Sequence, residues 1–255
     1  MLLAIDIGNS MIKFGVFDGA RLFDKFSIAT KRDYRPKELQ FDRLRYADGR
    51  FLEIHTVAVS SVVPELREIV RRTSQRQFKV TPVFVDHDTD FGLVNKCEPP
   101  QSVGIDRLVN ASAAVRKYGK PVIVCSFGTA TVIDAVNKRG EFLGGIIAPG
   151  VRTMADSLRQ NAAQLPSIEI VKPKRLIGTS TVAAIQSGIV NGHVAMTEGL
   201  IKRFLAEKQT FGSAKSSVKV IATGGFASLI APHIRSITKT DENLTLNGLR
   251  QLADA

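Results

Sequence analysis

The sequence predicts a duplicated α/β fold, with a mixed sheet in each half and a cleft between the halves. A short turn built on glycine follows an apolar run twice, at residues 6–10 (DIGNS) and 126–130 (SFGTA), and a β-rich run follows each copy. In both halves a β-meander then gives way to alternating helix and strand patterns, which is typical of α/β domains. We call residues 6–10 the first glycine turn and residues 126–130 the second glycine turn.

The composition fits one large domain or two packed halves. The chain has 255 residues, of which 44% are hydrophobic and 23% charged, so each half can bury a core. No run approaches the roughly 18 apolar residues of a membrane span, and the N-terminus lacks the basic region of a signal peptide. The two cysteines, Cys97 and Cys125, lack metal-type spacing. We therefore expect a cytoplasmic protein with reduced thiols and no membrane contact.

The charge balance favours anionic partners without specifying nucleic acid. The formal net charge is +11, which attracts nucleotides or nucleic acids. The basic residues are dispersed, however, between a surface helix at 67–76 and a loop at 172–175, and the sequence has neither an RNP-like aromatic strand nor a helix-turn-helix pattern. We expect a basic surface rather than a nucleic-acid partner. The four histidines are scattered and predict no zinc site.

The elements of the first half follow from apolar periodicity and from turn residues. Asp18-Gly19 is a hairpin signal, and Pro64 suits the first turn of a helix. A polar loop is predicted at 86–102. Strands are predicted at 2–6, 11–17, 56–62 and 80–85, and helices at 64–74 and 106–118.

The second half restarts near Gly119-Lys120, which places the predicted domain boundary between residues 1–119 and residues 120–255. Strands are predicted at 122–126, 131–136, 142–147 and 218–222. Helices are predicted at 151–160, 182–207 and 226–237.

The first glycine turn has the residue types of a phosphate site. Gly8 lets the backbone approach a phosphate closely, and Asn9 and Ser10 add polar groups beside it. Asp6 offers the hard oxygen ligand that Mg²⁺ prefers, and Lys13 on the next strand can neutralise phosphate charge. The alternative is a plain hairpin without a ligand. The second glycine turn repeats the pattern but has a neutral serine where the first has Asp6.

Three further motifs carry candidate chemistry. At a predicted helix start, Asp106 can accept a proton from a substrate hydroxyl while Arg107 pairs with a substrate carboxylate; the alternative is an ordinary helix cap. The segment 144–150, which begins with the glycine pair 144–145, ends a strand and opens a helix, and the glycine pair 224–225 joins a strand to a helix. They permit close approach of a ligand, or they are simply tight turns.

Together these motifs, in this order and spacing, resemble the type III pantothenate kinases, also called the CoaX or Bvg accessory factor family. The resemblance runs over nearly the whole chain, from the first glycine turn to the LTLNGL segment at 244–249. Its specific parts are GIDR at 104–107 and GTAT at 128–131, about twenty residues apart. The resemblance implies duplicated ribonuclease H-like halves of the actin, sugar kinase and Hsp70 superfamily.

The resemblance also implies an activity. It implies ATP-dependent phosphorylation of pantothenate to 4′-phosphopantothenate, the first step of coenzyme A synthesis. The implied assembly is a homodimer that needs Mg²⁺ and a monovalent cation, K⁺ or NH₄⁺.

By position, the resemblance assigns roles to individual residues. It implies that Asp106 is the general base and that Gly104 and Arg107 contact pantothenate, with Arg107 on the carboxylate. It implies that Thr181 reaches pantothenate from the partner subunit. ATP contacts are implied for Asp6, Gly8, Asn9, Ser10, Lys13, Gly128, Thr129, Gly224 and Gly225, and further substrate contacts for Cys97 and Gly145.

Two positions depart from the family pattern. Ser126 replaces an aspartate that helps to bind the monovalent cation, and Cys97 stands where a tyrosine near pantothenate is common. Three interpretations follow. The chain is an active pantothenate kinase, either weakened by the missing carboxylate or with Lys13 or another cationic group filling the cation site and removing the K⁺ requirement; a catalytically impaired relative with a regulatory or nucleotide-binding role; or a kinase for another small hydroxy acid.

Overall fold

The computed structural model describes residues 1–39, 41–46, 48–162, 165–207, 210–211 and 217–253. These residues belong to two compact units. Unit 1 comprises Met1–Gly92, Gln101–Ala113 and Leu244–Ala255, and unit 2 comprises Leu93–Pro100 and Ala114–Asn243. The boundary predicted between residues 119 and 120 stays a prediction. Compactness divides the chain differently, because the C-terminal helix packs on strands of unit 1.

The strands and helices follow one another along the chain. The strands are β1 Leu2–Ile7, β2 Met11–Asp18, β3 Arg21–Ala29, β4 Thr56–Ser61, β5 Val83–Phe84, β6 Val94–Asn95, β7 Val122–Phe127, β8 Ala130–Val136, β9 Glu141–Pro149, β10 Lys219–Thr223 and β11 Lys239–Thr240. The α-helices are α1 Arg67–Phe78, α2 Ile105–Tyr118, α3 Val151–Asn161, α4 Thr181–Ala206, α5 Ala227–Ile230 and α6 Leu244–Ala253. No helix in the described part of the chain has both the length and the hydropathy needed to cross a bilayer.

Unit 1 contains a five-stranded sheet in the order β3-β2-β1-β4-β5. Strand β1 is antiparallel to β2 and parallel to β4, and all six of its residues are buried because it lies at the centre of the sheet. The predicted turn at Asp18-Gly19 joins β2 to β3, with Gly19 at a φ of 55° that favours glycine. Helix α6 packs on β1 and β4.

Unit 2 contains a six-stranded sheet in the order β11-β10-β7-β8-β9-β6. Strands β7, β8 and β9 are antiparallel neighbours, and β10 and β11 continue the sheet in parallel on the other side of β7. This is the order and direction of β1 to β5 in unit 1, with β6 added at the edge. The duplication predicted from the two glycine turns is therefore confirmed, since each turn joins the central strand of a sheet to its antiparallel neighbour.

The cores explain why one face of the unit 2 sheet is free for polar side chains. Ile123, Cys125 and Phe127 of β7 belong to a buried cluster with apolar residues of α3, α4 and α5. Because side chains alternate along a strand, Val124 and Ser126 point to the other face. Unit 1 has its own core, in which the rings of Phe14 and Phe26 stack 4.5 Å apart.

Some predicted elements are shorter than expected. The strand predicted at 80–85 is reduced to β5, and the helix predicted at 226–237 ends as α5 at Ile230. Pro232 is the physical reason: it has no N–H to continue the helical ladder, and the chain passes into a 3-10 turn at Ala231–His233. Within the loop predicted at 86–102 the structure adds strand β6 and a 3-10 turn at Pro100–Ser102.

Candidate active site

Asp6 is the centre of a row of three polar side chains on neighbouring strands of unit 1. It lies opposite Lys13 on β2 and opposite Ser60 on β4. Ser60 Oγ donates a hydrogen bond of 2.8 Å to Asp6 Oδ1, and Lys13 Nζ lies 3.7 Å from Asp6 Oδ2. The Asp6 carboxylate is buried, whereas more than a third of the Lys13 side chain is exposed. We call Lys13, Asp6 and Ser60 the charged row.

The equivalent row of unit 2 has no charge. Ser126 occupies the position of Asp6 on the central strand, opposite Val132 on β8 and Thr223 on β10. Ser126 is half-buried and Thr223 is buried. The carboxylate missing at position 126 is therefore not replaced by a charge on either neighbour. We call Val132, Ser126 and Thr223 the neutral row.

A buried aspartate on β8 was missed by the sequence analysis. Asp134 lies opposite Val124 and Gly145, on the sheet face that also carries Ser126. Burial and, to a lesser extent, the Asp134 carboxylate raise the pKa of the Cys125 thiol far above its usual range. An acid inside the apolar strand pattern TVIDAV was the available signal.

In both glycine turns the glycine N–H is bonded within the turn, but the first turn is one residue longer. Gly8 N donates to Met11 O, three residues later, and Gly128 N donates to Ala130 O, two residues later, both at 3.0 Å. A β-carbon at Gly128 would lie 3.7 Å from Ala130 O, which is an ordinary contact, and Gly128 has no positive φ. The hairpin itself therefore does not require glycine at position 128, whereas a ligand close to the turn would.

The second glycine turn is held against the N-terminus of α3. Thr129 O accepts hydrogen bonds from Gly150 N at 3.0 Å and from Thr153 Oγ1 at 2.6 Å, while the Thr129 residue stays exposed. A β-carbon at Gly150 would lie only 2.3 Å from Gly128 O, so glycine is needed there for this packing. The helix N-terminus adds positive potential beside the turn, which suits a phosphate.

Gly145 and Gly224, one glycine of each remaining pair, have packing reasons that involve no ligand. A β-carbon at Gly145 would lie 1.9 Å from Ile133 O, and one at Gly224 would lie 2.5 Å from Phe127 O. Gly224 also has a φ of +96°. Gly225, in contrast, has open space around the position of a β-carbon and is exposed. The ligand contacts expected at these glycines stay predictions, and Gly225 is the one whose surroundings leave room for a ligand.

Gly104, Asp106 and Arg107 lie together at the start of α2. A β-carbon at Gly104 would lie 2.7 Å from Asp106 Oδ1 and 3.9 Å from Arg107 Cδ, and Arg107 N donates to Gly104 O at 3.0 Å. Asp106 and Arg107 are both half-buried. The Asp106 carboxylate therefore folds back over Gly104, where a larger residue would displace it.

The remaining predicted substrate residues belong to unit 2. Cys97 Sγ lies 3.0 Å from the place of a β-carbon at Gly144, next to Gly145, and Cys97 N donates to Asn95 Oδ1 at 3.0 Å. Neither cysteine forms a disulfide. Thr181 is the first residue of α4 and is exposed, and Ser180 Oγ caps the helix by accepting from Ala183 N.

No protein-only metal centre is present in the described part of the chain. Across those residues, no three His, Cys, Asp or Glu side chains come close enough together to hold an ion.

The two matching sheets, each with a glycine turn after its central strand, form the duplicated ribonuclease H-like fold that the sequence predicts. Solved structures share this fold. A Baf family protein from Campylobacter jejuni has a TM-score of 0.62 at 18% identity, with 99% of this chain and 97% of that chain covered. Component A of (R)-2-hydroxyglutaryl-CoA dehydratase from Acidaminococcus fermentans has a TM-score of 0.53 at 14% identity, with 99% and 95% covered.

Comparison of the sequence with known proteins identifies the family to which this chain belongs. The family model described as type III pantothenate kinase matches residues 2–203. Proteins named type III pantothenate kinase match along nearly their whole length: that of Roseiflexus castenholzii is 42% identical over 256 residues (98% of this chain, 97% of the relative), and that of Myxococcus xanthus is 41% identical over 255 residues (98% and 96%). The chain belongs to the type III pantothenate kinase family. The resemblance inferred from the motifs is thereby confirmed.

Proposed function

We propose that this chain phosphorylates pantothenate with ATP, giving 4′-phosphopantothenate and ADP, the first step of coenzyme A synthesis. The observation that carries the proposal is family membership over nearly the full chain combined with an intact Gly104–Asp106–Arg107 cluster. No observation on the described residues favours the regulatory alternative or a different hydroxy acid.

The cluster at the start of α2 supplies the chemistry on the acceptor. Asp106 takes the proton of the pantothenate hydroxyl while the oxygen of that hydroxyl forms a bond to the γ-phosphorus of ATP. The bond between the γ-phosphorus and the oxygen that leaves with ADP breaks in the same step. Arg107 pairs with the pantothenate carboxylate through two parallel hydrogen bonds. Phosphoryl transfer depends mainly on positioning and on charge neutralisation, so a half-buried acid and base on one rigid helical turn suit it.

The ATP phosphates are assigned to the two glycine turns. The second turn lies beside the N-terminus of α3, whose positive potential suits a phosphate, and Thr129 is exposed there. Lys13, partly exposed above Asp6, is placed to neutralise phosphate charge. Gly225, with its open surroundings, is assigned to the adenosine end together with Gly224.

The charged row fits Mg²⁺. Magnesium is usually held by one or two carboxylates together with substrate phosphates and water, and Asp6 offers one buried carboxylate whose Oδ1 is fixed by Ser60. When bound, the ion supplies neutralisation of the phosphate charge. Asp6 holds it directly or through water.

The neutral row does not fit a cation held by a carboxylate. Hydroxyl groups on Ser126 and Thr223 carry no charge, and Val132 has no ligand atom. We therefore propose that this chain works without the K⁺ or NH₄⁺ that the family pattern implies.

We also propose a cytoplasmic homodimer in which Thr181 of one subunit contacts pantothenate bound to the other. Exposed apolar residues near Thr181 support an interface: 73% of Leu176 and 81% of Ile177 are accessible, and Val182 is exposed as well. Exposed apolar patches of this kind usually mark a protein contact.

The test is product formation in the Asp106→Asn variant, with the exposed Asp88→Asn as the matched control. Loss of a general base should lower kcat by about 100-fold or more, while nucleotide binding is retained. Full activity in Asp106→Asn would show that another group takes the proton. A screen of small hydroxy acids should rank pantothenate first; another acid ranking above it would contradict the proposed substrate.

A further inference from the structure

His193 contacts the strand pair that carries the second glycine turn. It lies on α4 and is fully buried, and its Nε2 is 2.6 Å from Thr131 Oγ1, which is also buried. Its ring lies edge-on to that of Phe127, with 6.0 Å between the ring centroids. Phe127 and Thr131 lie opposite each other as the last pair of β7 and β8 before the turn. One imidazole therefore contacts both residues at the base of the second glycine turn.

Among the described residues, the His193 ring makes its hydrogen bond through Nε2 alone. His193 Nδ1 finds no hydrogen-bond partner among the described protein atoms, and neither does Thr197 Oγ1 one helical turn further along α4. A buried polar atom without a partner destabilises the folded state, so an apolar ring would pack here at lower cost. Burial lowers the pKa of His193, so the ring is neutral near pH 7. The distinctive contribution of the histidine is its bond to Thr131.

The turn is held at two points. At the first, Gly150 N and Thr153 Oγ1 donate to the carbonyl of Thr129. At the second, His193 Nε2 is hydrogen-bonded to the hydroxyl of Thr131, two residues later. A phosphate-binding turn must hold its N–H groups in place before the ligand arrives, because ordering them on binding weakens affinity.

We propose that His193 is a positioning residue for nucleotide binding, which holds the second glycine turn in its phosphate-binding conformation through Thr131 Oγ1. The inference rests on the proposed function, since it takes ATP as the ligand of this turn. It assigns to α4 a role at the phosphates that is independent of Thr181 at the start of the same helix.

The test compares variants that remove or keep the bond. His193→Phe keeps an aromatic ring without a hydrogen-bonding atom, Thr131→Val removes the hydroxyl, and His193→Gln keeps a polar atom near the position of Nε2. We expect His193→Phe and Thr131→Val each to raise the KM for ATP by about 3- to 10-fold, the range expected from losing one hydrogen bond. The KM for pantothenate should stay unchanged.

Two further results separate positioning from general loss of structure. His193→Gln should recover most of the ATP affinity, and the double variant His193→Phe/Thr131→Val should be no worse than either single variant. Thr197→Val is the matched control, because it changes a buried residue of the same helix whose hydroxyl has no partner; it should leave the KM for ATP unchanged. An equal rise in Thr197→Val, or additive effects in the double variant, would overturn the inference.

The dissociation constant of a non-hydrolysable ATP analogue, measured by calorimetry on the same proteins, distinguishes this inference from the proposed function. If the unaltered chain binds the analogue but does not phosphorylate pantothenate, the proposed function fails and the variants still test His193. If the chain is an active kinase and His193→Phe binds the analogue as tightly as the unaltered chain, only the inference fails. A chain that binds no nucleotide overturns both.

Discussion

Glycines in similar sequence motifs differ in whether the folded chain itself requires them. At Gly145 and Gly224 a side chain would collide with backbone of the protein itself, so their presence gives no information about a ligand. Gly128 is different, because the hairpin leaves space for a methyl group there. The phosphate interpretation of the second glycine turn therefore rests on Gly128 more than on any other glycine of unit 2.

Gly128→Ala should separate folding from ligand binding. We expect an unchanged melting temperature, since the new β-carbon meets only Ala130 O at 3.7 Å, and a rise of roughly tenfold in the KM for ATP because the methyl group occupies the space of a phosphate. Thermal unfolding and steady-state kinetics measure the two effects. Gly199→Ala is the control, because Gly199 is an exposed helical residue with free space around it. An unchanged KM for ATP in Gly128→Ala would contradict the assignment of ATP to this turn.

Gly104→Ala should act on catalysis. The methyl group would approach Asp106 Oδ1 to 2.7 Å and push the carboxylate aside, and this neighbour is the free end of a side chain, so folding should tolerate the change. We expect a kcat reduced by about 10-fold or more, because general base catalysis requires hydrogen-bond distance to the hydroxyl. Activity equal to that of the unaltered chain would argue against Asp106 as the base.

The buried histidine also predicts a pH dependence of stability. Burial lowers the pKa of His193 in the folded state below its value in the unfolded chain, about 6.5, so the unfolded state binds more protons as pH falls. The free energy of unfolding should therefore decrease below about pH 6.5, and less so in His193→Phe. Urea unfolding of both proteins between pH 5 and 8 measures this, and identical pH slopes would contradict the assignment.

At the scale of elements, the sequence predicts central features better than edges. Strands β1, β2, β7 and β8 follow from apolar runs flanked by glycine turns, and the structure agrees with them within a residue or two. The two-residue edge strands β5 and β11 leave too short a pattern to recognise, and Pro232 ended a helix whose apolar pattern continued. The position of an element can therefore be predicted from the local sequence only when the element is long.

The partners of the site residues could not be predicted, because they depend on strand register. Ser60 reaches Asp6 across a parallel pair that begins 54 residues apart in the sequence, and no local signal reports it. The same holds for Val132 and Thr223 beside Ser126. In the sequence His193 is one of four scattered histidines, and only the fold of α4 places it against Thr131. The sequence reveals which residues have suitable chemistry, and register decides which of them meet.

The end of α2 gives a prediction about stability. Asp241 is buried, and its Oδ2 accepts from Lys117 Nζ at 2.6 Å and from Tyr118 Oη at 2.9 Å, which raises the pKa of Lys117. We expect Asp241→Asn to lower the free energy of unfolding by about 1–3 kcal/mol, because both donors then lose a charged acceptor. Urea unfolding measures it, with Glu242→Gln at the exposed neighbouring position as control. Equal stability of the two variants would contradict this account.

At the scale of the whole molecule, the proposed homodimer links assembly to activity through Thr181. If each site takes Thr181 from the partner subunit, a chain that cannot dimerise should lose activity although its fold is intact. Ile177→Asp places a charge in the exposed apolar segment, and we expect monomers in analytical ultracentrifugation together with a raised KM for pantothenate. A monomeric variant with full activity would contradict the shared site.

The proposal about cations rests on the charge asymmetry between the two rows. The charged row keeps a carboxylate with a lysine beside it, and the neutral row has only hydroxyl groups and a valine. If the first row is sufficient for phosphoryl transfer with Mg²⁺, the chain is a kinase without a monovalent cation.

The most direct test of this account is the rate of 4′-phosphopantothenate formation from ATP, pantothenate and Mg²⁺, with and without K⁺ or NH₄⁺, for the unaltered chain and for Ser126→Asp. We predict product formation in the unaltered chain at a rate that K⁺ does not change, and a K⁺-dependent rate in Ser126→Asp. A K⁺ requirement in the unaltered chain would contradict the role assigned to the neutral row. Absence of product in both proteins under every cation condition would contradict the central claim that this chain is a pantothenate kinase.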